Sequence, residues 1–285
     1  MSVELRAGAA SAAVDPTAGG RLASLVAGGR ERLITTPDPT SPLPSLSWGS
    51  YAMLPWVGRM RDGHLAWRGT EVELPRNFFG HAIHGVGFDR PWDVAAADGR
   101  SVELVLRLGR SARWPFAGQA RQRFRLSPDA IECRVEIRAE DAMPAAAGWH
   151  PWFRRFEGED VEVSVPAAAT LETRPDLIPT GALLAVDGST DLRAGPVLGD
   201  RRLDHAYVDI EGPSVVRWSD LELVIEAEPL RSVVVYTPTH AFCVEPQTAW
   251  PDAIRLAGEG LDTGLAALEP GETFVAETRW SWRPR

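Results

Sequence analysis

The feature that most constrains this chain is a recurring alternation of apolar and polar residues in short runs. In Val102-Glu103-Leu104-Val105-Leu106-Arg107-Leu108 the four even-numbered apolar residues share one face of an extended chain, and the same period of two recurs from Ala130 to Ala139 and from Thr273 to Trp282. Gly, Pro, Asp and Ser separate such runs, and 26 Gly with 23 Pro leave little room for a long helix of period 3.6. The pattern predicts an all-β chain, a large antiparallel β-sandwich with few short helices, and argues against a doubly wound α/β fold. No fixed-period repeat, low-complexity tract or charge block divides the sequence. Sandwiches of this length occur undivided, so residues 1–285 are expected to form one domain. The Pro-rich stretch 37–44 is expected to be a surface loop leading into a strand-like Trp48 to Trp56.

With 44% hydrophobic and 24% charged residues the chain has the means to bury a substantial core. Its 30 basic against 39 acidic residues give a net charge of -9, which repels nucleic acid and anionic membranes. A small neutral partner is expected, while a local group of arginines leaves room for an anionic one. Cys133 and Cys243 make neither a disulfide framework nor a metal site by spacing, and are expected to be buried thiols. The segment Met1-Ser2-Val3-Glu4-Leu5-Arg6 carries no apolar leader, and no run of roughly 18 apolar residues occurs. A cytoplasmic address is the expectation.

Chemistry concentrates in five segments. In Gly148-Trp149-His150-Pro151-Trp152-Phe153, extended geometry puts His150 and Trp152 on one face and Trp149 on the other, and Pro151 holds His150 extended. An imidazole placed there transfers protons near neutral pH, or else is a satisfied core residue. In Phe242-Cys243-Val244-Glu245-Pro246-Gln247, Cys243, Glu245 and Gln247 share a face, and desolvation moves a carboxylate there toward a useful general base; a rim ion pair is the other reading.

His81 and His84 lie three apart in Asn77-Phe78-Phe79-Gly80-His81-Ala82-Ile83-His84-Gly85, but no third ligand stands at a recognisable spacing, so a metal is not expected. Gly85 is expected to let the backbone approach a ligand. In Leu203-Asp204-His205, alternation admits one of the two ionisable groups to a shared pocket, and Asp204 suits sugar hydroxyls better. Arg59, in Pro55-Trp56-Val57-Gly58-Arg59, is a donor beside an aromatic or a plain surface arginine. The 11 Trp, several beside polar residues, suit stacking on sugar rings as well as they suit a core.

These segments, in this order, resemble the aldose 1-epimerase (galactose mutarotase-like) family: Pro-Trp-Val-Gly-Arg at 55–59, Ile-His-Gly at 83–85 with Pro91-Trp92, His-Pro-Trp-Phe at 150–153, Leu-Asp-His at 203–205, and Val-Glu-Pro-Gln-Thr at 244–248 with Pro251-Asp252. The resemblance implies a galactose mutarotase-like supersandwich that interconverts the anomers of a hexose without a cofactor. It implies His150 as general acid and Glu245 as general base, on facing strands and on opposite sides of one pyranose ring, with Arg59, His84 and Asp204 binding the sugar. His81 has no firm counterpart. Partners implied are a monosaccharide, no nucleic acid and no membrane, for a monomer or homodimer.

The run Val86-Gly87-Phe88-Asp89-Arg90 departs from the family pattern and puts substrate contacts there in question. Arg59, Arg61, Arg76, Arg90, Arg154 and Arg155 keep open an epimerase of a sugar phosphate or other anionic sugar. A non-catalytic sugar-binding or regulatory module, and a glycoside hydrolase sandwich using Glu245 and Asp204, are the readings from other classes.

Overall fold

The structure, a computed structural model, describes residues 1–285. The runs that alternate most plainly in sequence lie side by side in one antiparallel sheet. Its eight strands run in space as Asp93–Ala97, Ser101–Arg107, Gly118–Leu126, Ala130–Ala139, Thr273–Pro284, Leu221–Glu228, Ser214–Arg217 and Glu162–Ser164. Gly118–Leu126 shows how sequence sets the faces: Ala120, Phe124 and Leu126 are buried while Arg121, Arg123 and Arg125 face out. Out on that surface Arg279 bonds Glu132 at 2.8 Å, one of several ion pairs in a shallow depression of about 660 Å³ that contains no aromatic residue.

The second sheet has 12 strands. Its path is Val3–Ala7, Ala10–Asp15, Arg21–Ala27, Ser50–Met53, Gly148–Pro151, Ala241–Gln247, Ser232–Tyr236, Asp204–Ile210, Ala167–Thr173 and Pro179–Ala185, with Arg30–Glu31 and Phe153–Arg154 attached beside it. The two sheets close over a core of 58 buried residues. Trp280 from the smaller sheet meets Phe153 from the larger with ring centroids 5.5 Å apart, so their inner faces interlock. Each large apolar side chain withdrawn there contributes roughly 1.5–3 kcal/mol.

The expected all-β sandwich is what forms, and α-helix is confined to Ala253–Gly258. Within the expected strand-like stretch 48–56 only Ser50–Met53 is strand. No helix is long and apolar enough to cross a membrane. Both cysteines are buried and unbridged.

One buried cation braces the centre of the larger sheet. Arg21, fully buried, donates to the carbonyls of Ala18, Ser45, Trp48 and Phe88 at 2.6–2.8 Å and meets no carboxylate. It thereby ties together the loops behind Tyr51, whose ring packs on Phe88 with centroids 5.6 Å apart. That is the role of the divergent run 86–90: Val86 and Phe88 are core, and Gly87 accepts a 3.0 Å hydrogen bond from the Trp92 indole.

Candidate active site

The outer face of the larger sheet is hollowed into a cleft of about 760 Å³, and all five sequence candidates line it: Arg59, His84, His150, Asp204 and Glu245. Strand register explains the convergence. Gly148 pairs with Gln247 and Phe153 with Phe242, one continuous antiparallel register that sets His150 directly opposite Glu245 and Trp152 opposite Cys243. On the next strand Val234 pairs with Glu245 and Tyr236 with Cys243, and beyond it Asp204 pairs with Tyr236. The registers therefore form a grid, with His150, Glu245, Val234 and Ala206 in one row and Trp152, Cys243, Tyr236 and Asp204 in the next, and all of these but the buried Cys243 line the cleft.

The two prolines of the motifs flank this pair. In the same register Pro151 lies opposite Val244 and Pro246 opposite Trp149, and neither proline has an N–H to donate. The ladder between these strands is thus interrupted where the imidazole meets the carboxylate.

His150 Nε2 lies 3.2 Å from Glu245 Oε1, and both side chains are more than nine-tenths buried. Gln247 Nε2 donates to the other carboxylate oxygen at 3.3 Å. Tyr51 and Trp152 both stack on the imidazole, with ring centroids 4.9 and 5.5 Å from it. His84 stands edge-on to His150 with centroids 5.1 Å apart. Arg59 Nη2 reaches Asp204 Oδ2 at 3.8 Å.

Burial dominates the electrostatics. It lowers His150 to about 3, helped by the charge of Arg21, and lowers His84 well below the usual imidazole range, helped by His150 and Arg59. Burial, and then the charge of Asp204, raises Glu245 well above the usual carboxylate range. Asp204 is raised by burial against the opposing pull of Arg59. Both shifts favour the uncharged forms, a neutral imidazole and a protonated carboxyl group, from which the imidazolium–carboxylate form differs by one proton moved across the 3.2 Å contact.

Three expectations change, and for the Trp residues the core reading holds for most. His150 and Glu245 stand side by side on adjacent strands, too close for a sugar ring to fit between them. Gly85, at φ 79°, approaches the Leu54 carbonyl and not a ligand: an added Cβ would lie 1.8 Å from that oxygen. The arginines do not gather, since Arg59 alone lines the cleft while Arg76 pairs with Glu73 at 3.2 Å and Arg154 bonds the Leu33 carbonyl at 2.7 Å. Of the 11 Trp, Trp152 alone lines the cleft, and Trp114, Trp149, Trp218 and Trp280 are fully buried.

The sequence reading missed Tyr51, Tyr236, Phe78, Asp176 and His240. His240 continues the stack on Trp152 at 6.2 Å. The Pro-rich loop 37–44, read as plain surface, supplies a wall through Asp38, Thr40, Ser41 and Pro42. His81 lies outside the cleft lining, its Nδ1 accepting a 3.0 Å hydrogen bond from the Asp62 N–H.

Paired antiparallel sheets carrying a buried imidazole–carboxylate pair in an aromatic cleft define a galactose mutarotase-like supersandwich. The chain belongs to the aldose 1-epimerase family, whose sequence model matches residues 1–281. An Escherichia coli K12 protein, YihR, is 29% identical over 158 residues, covering 53% of this chain and 50% of that protein. The fold is similar to a galactose mutarotase-like protein of Clostridium acetobutylicum, with TM-score 0.86 and 18% identity over 100% of this chain and 95% of that one. It is also similar to galactose 1-epimerase of Lactobacillus acidophilus NCFM, with TM-score 0.80 and 18% identity over 99% and 94% of the two chains.

Proposed function

We propose that the protein, acting as one domain over residues 1–285, is a mutarotase that interconverts the α and β anomers of a neutral hexose. The observation that carries this reading is the 3.2 Å contact between His150 Nε2 and Glu245 Oε1 at the cleft floor. The hydroxyl and ring oxygens of an aldopyranose are both bonded to C1, so an acid and a base standing side by side reach both at once.

Glu245 as carboxylate takes the proton of the C1 hydroxyl while His150 as imidazolium gives one to the ring oxygen. The C1–O5 bond breaks and an open-chain aldehyde forms. Rotation about C1–C2 presents the other carbonyl face, and reclosure returns both protons. Because the pair gives and takes one proton in each direction, it ends each half-reaction ready for the reverse. Each transfer contributes roughly 10²- to 10⁴-fold, and alignment of C1 over the pair supplies more. His84, edge-on to His150, is placed to donate to the ring oxygen, while Arg59 and Asp204 hold hydroxyls. Trp152 and Phe78 offer apolar faces to the ring.

The cleft favours an uncharged sugar over a phosphorylated one. Its one arginine already faces Asp204, and Asp38 and Asp176 also line it. Polarimetry on freshly dissolved α-glucose and α-galactose tests the proposal, with glucose 6-phosphate in parallel. Catalysed rotation change is expected with a neutral sugar. Rates equal to buffer for every sugar tried would instead indicate a binding module, and catalysis confined to the phosphate would indicate an anionic substrate.

A further inference from the structure

We infer that His150, Cys243 and Glu245 form a three-ligand site for a borderline-soft divalent cation of the zinc type, at the position where the sugar's C1 would react. Their ligand atoms, an imidazole nitrogen, a thiol sulfur and a carboxylate oxygen, all lie within 4.8 Å of one another. The nitrogen–oxygen edge is 3.2 Å. Tetrahedral zinc, with bonds of roughly 2.0–2.1 Å to N or O and about 2.3 Å to S, needs edges of about 3.3–3.7 Å. The nitrogen–oxygen edge is already close to that length, and the edges to sulfur, at most 4.8 Å, would have to shorten by up to about 1 Å on binding.

The set exists only in three dimensions. Cys243 precedes Glu245 by two residues on the same strand face, diagonal to His150 across the proline-interrupted ladder. Trp152 and Tyr236, in edge contact at 5.8 Å, stand opposite Cys243 on the two flanking strands, while His150 and Glu245 face the cleft. A cation entering from the cleft meets His150 and Glu245 there and must draw in the buried Cys243 sulfur, and tetrahedral binding by the three would leave a fourth position for water or a sugar hydroxyl; nitrogen, sulfur and oxygen donors together suit zinc better than magnesium or calcium.

Charge balance points the same way. The thiol lies within 4.8 Å of a carboxyl group on the cleft floor, whose one lining arginine is taken by Asp204. On coordination the Cys243 S–H breaks and an S–metal bond forms, Glu245 binds as carboxylate, and both protons leave to buffer. A dication with two anionic ligands leaves the buried site neutral, and nothing is oxidised or reduced. The bound metal consumes the acid and base that mutarotation requires, so metal and catalysis exclude each other. The binding claim stands on the geometry alone; only this inhibition rests on the proposed acid–base roles.

Cobalt(II) titration of the full-length protein, read by absorption, tests the site. One equivalent of tetrahedral cobalt with a thiolate charge-transfer band is expected, displaced by zinc. Cys243→Ala and Cys243→Ser, checked for fold by circular dichroism, should lose the band and bind cobalt at least tenfold more weakly, as should Glu245→Gln without losing the band. In polarimetry, zinc should slow the wild type at least tenfold, reversibly with chelator, and Cys243→Ala should keep wild-type metal-free rates while needing at least tenfold more zinc. A cobalt spectrum without a thiolate band, or equal zinc sensitivity of wild type and Cys243→Ala, overturns the site. A correct band in a protein without mutarotation would sustain the site and sink the proposed function.

Discussion

His150 and Glu245 are cross-strand neighbours, their ring nitrogen and carboxylate oxygen 3.2 Å apart, between two prolines that have no N–H to give the backbone ladder. Removing either partner while keeping its shape isolates its contribution. His150→Asn and Glu245→Gln should each lower kcat by roughly 10²- to 10⁴-fold in polarimetry, and the double variant little further, because the two act as a unit. Activity within a few-fold of wild type in both single variants would remove them from the chemistry.

The pH profile follows from burial. With His150 lowered to about 3 and Glu245 raised above the usual carboxylate range, burial favours the uncharged form of both groups, and Glu245 gives up its proton only as pH rises through its raised value. After subtraction of the spontaneous rate, kcat/KM should stay flat between about pH 5 and 6.5, where an ordinary histidine titrates, and fall on the alkaline side. An acid limb centred near pH 6.5 would show His150 to be an ordinary imidazole.

The same carboxyl group loads the fold. Because the folded-state value of Glu245 is raised, its contribution to stability is fully present below the unfolded carboxyl range and is lost as pH rises through the folded value. Glu245→Gln removes that loss. Its melting temperature should exceed the wild type's by at least about 2 °C at pH 8, equivalent to roughly 1 kcal/mol, with a smaller gain at pH 5. A gain that grows toward acid would reverse the sign of the shift.

Arg59 and Asp204, 3.8 Å apart at the side of the cleft, should act on binding more than on the chemical step. Losing one charge-assisted hydrogen bond to a sugar hydroxyl is worth about 1.5–3 kcal/mol. Asp204→Asn and Arg59→Met should therefore raise KM by about 10- to 100-fold with kcat nearly kept. A fall in kcat at unchanged KM would place these residues at the reacting atoms.

Two glycines near His84 test the packing. Gly85→Ala drives a Cβ to 1.8 Å from the Leu54 oxygen at φ 79° and should destabilise by about 3 kcal/mol or more. Gly80→Ala, at φ 84° with nothing within 4 Å, should cost only about 1 kcal/mol by chemical denaturation.

The fold was legible because alternation is a local property, and in runs such as Ala130–Ala139 it translates directly into a buried and an exposed face. The same rule placed His150 beside Trp152 and Glu245 beside Gln247 on the cleft side, with Trp149, Phe242 and Val244 in the core. Distance was not legible. Strand pairing between segments far apart in sequence sets the 3.2 Å contact, and no local pattern states it. Tyr51, Tyr236 and the wall from loop 37–44 escaped for the same reason, since their neighbours come from remote strands. Gly85 shows a correct residue with the wrong cause, a close approach to backbone and not to a ligand.

The missing ladder bonds beside Pro151 and Pro246 bear on how the pair moves. At that place two of the cross-strand N–H donors are absent, so fewer backbone bonds oppose a small change in strand spacing, while Tyr51 and Trp152 stack on the imidazole. The larger sheet thus sets a seam with fewer backbone bonds beneath the two groups proposed to move the protons.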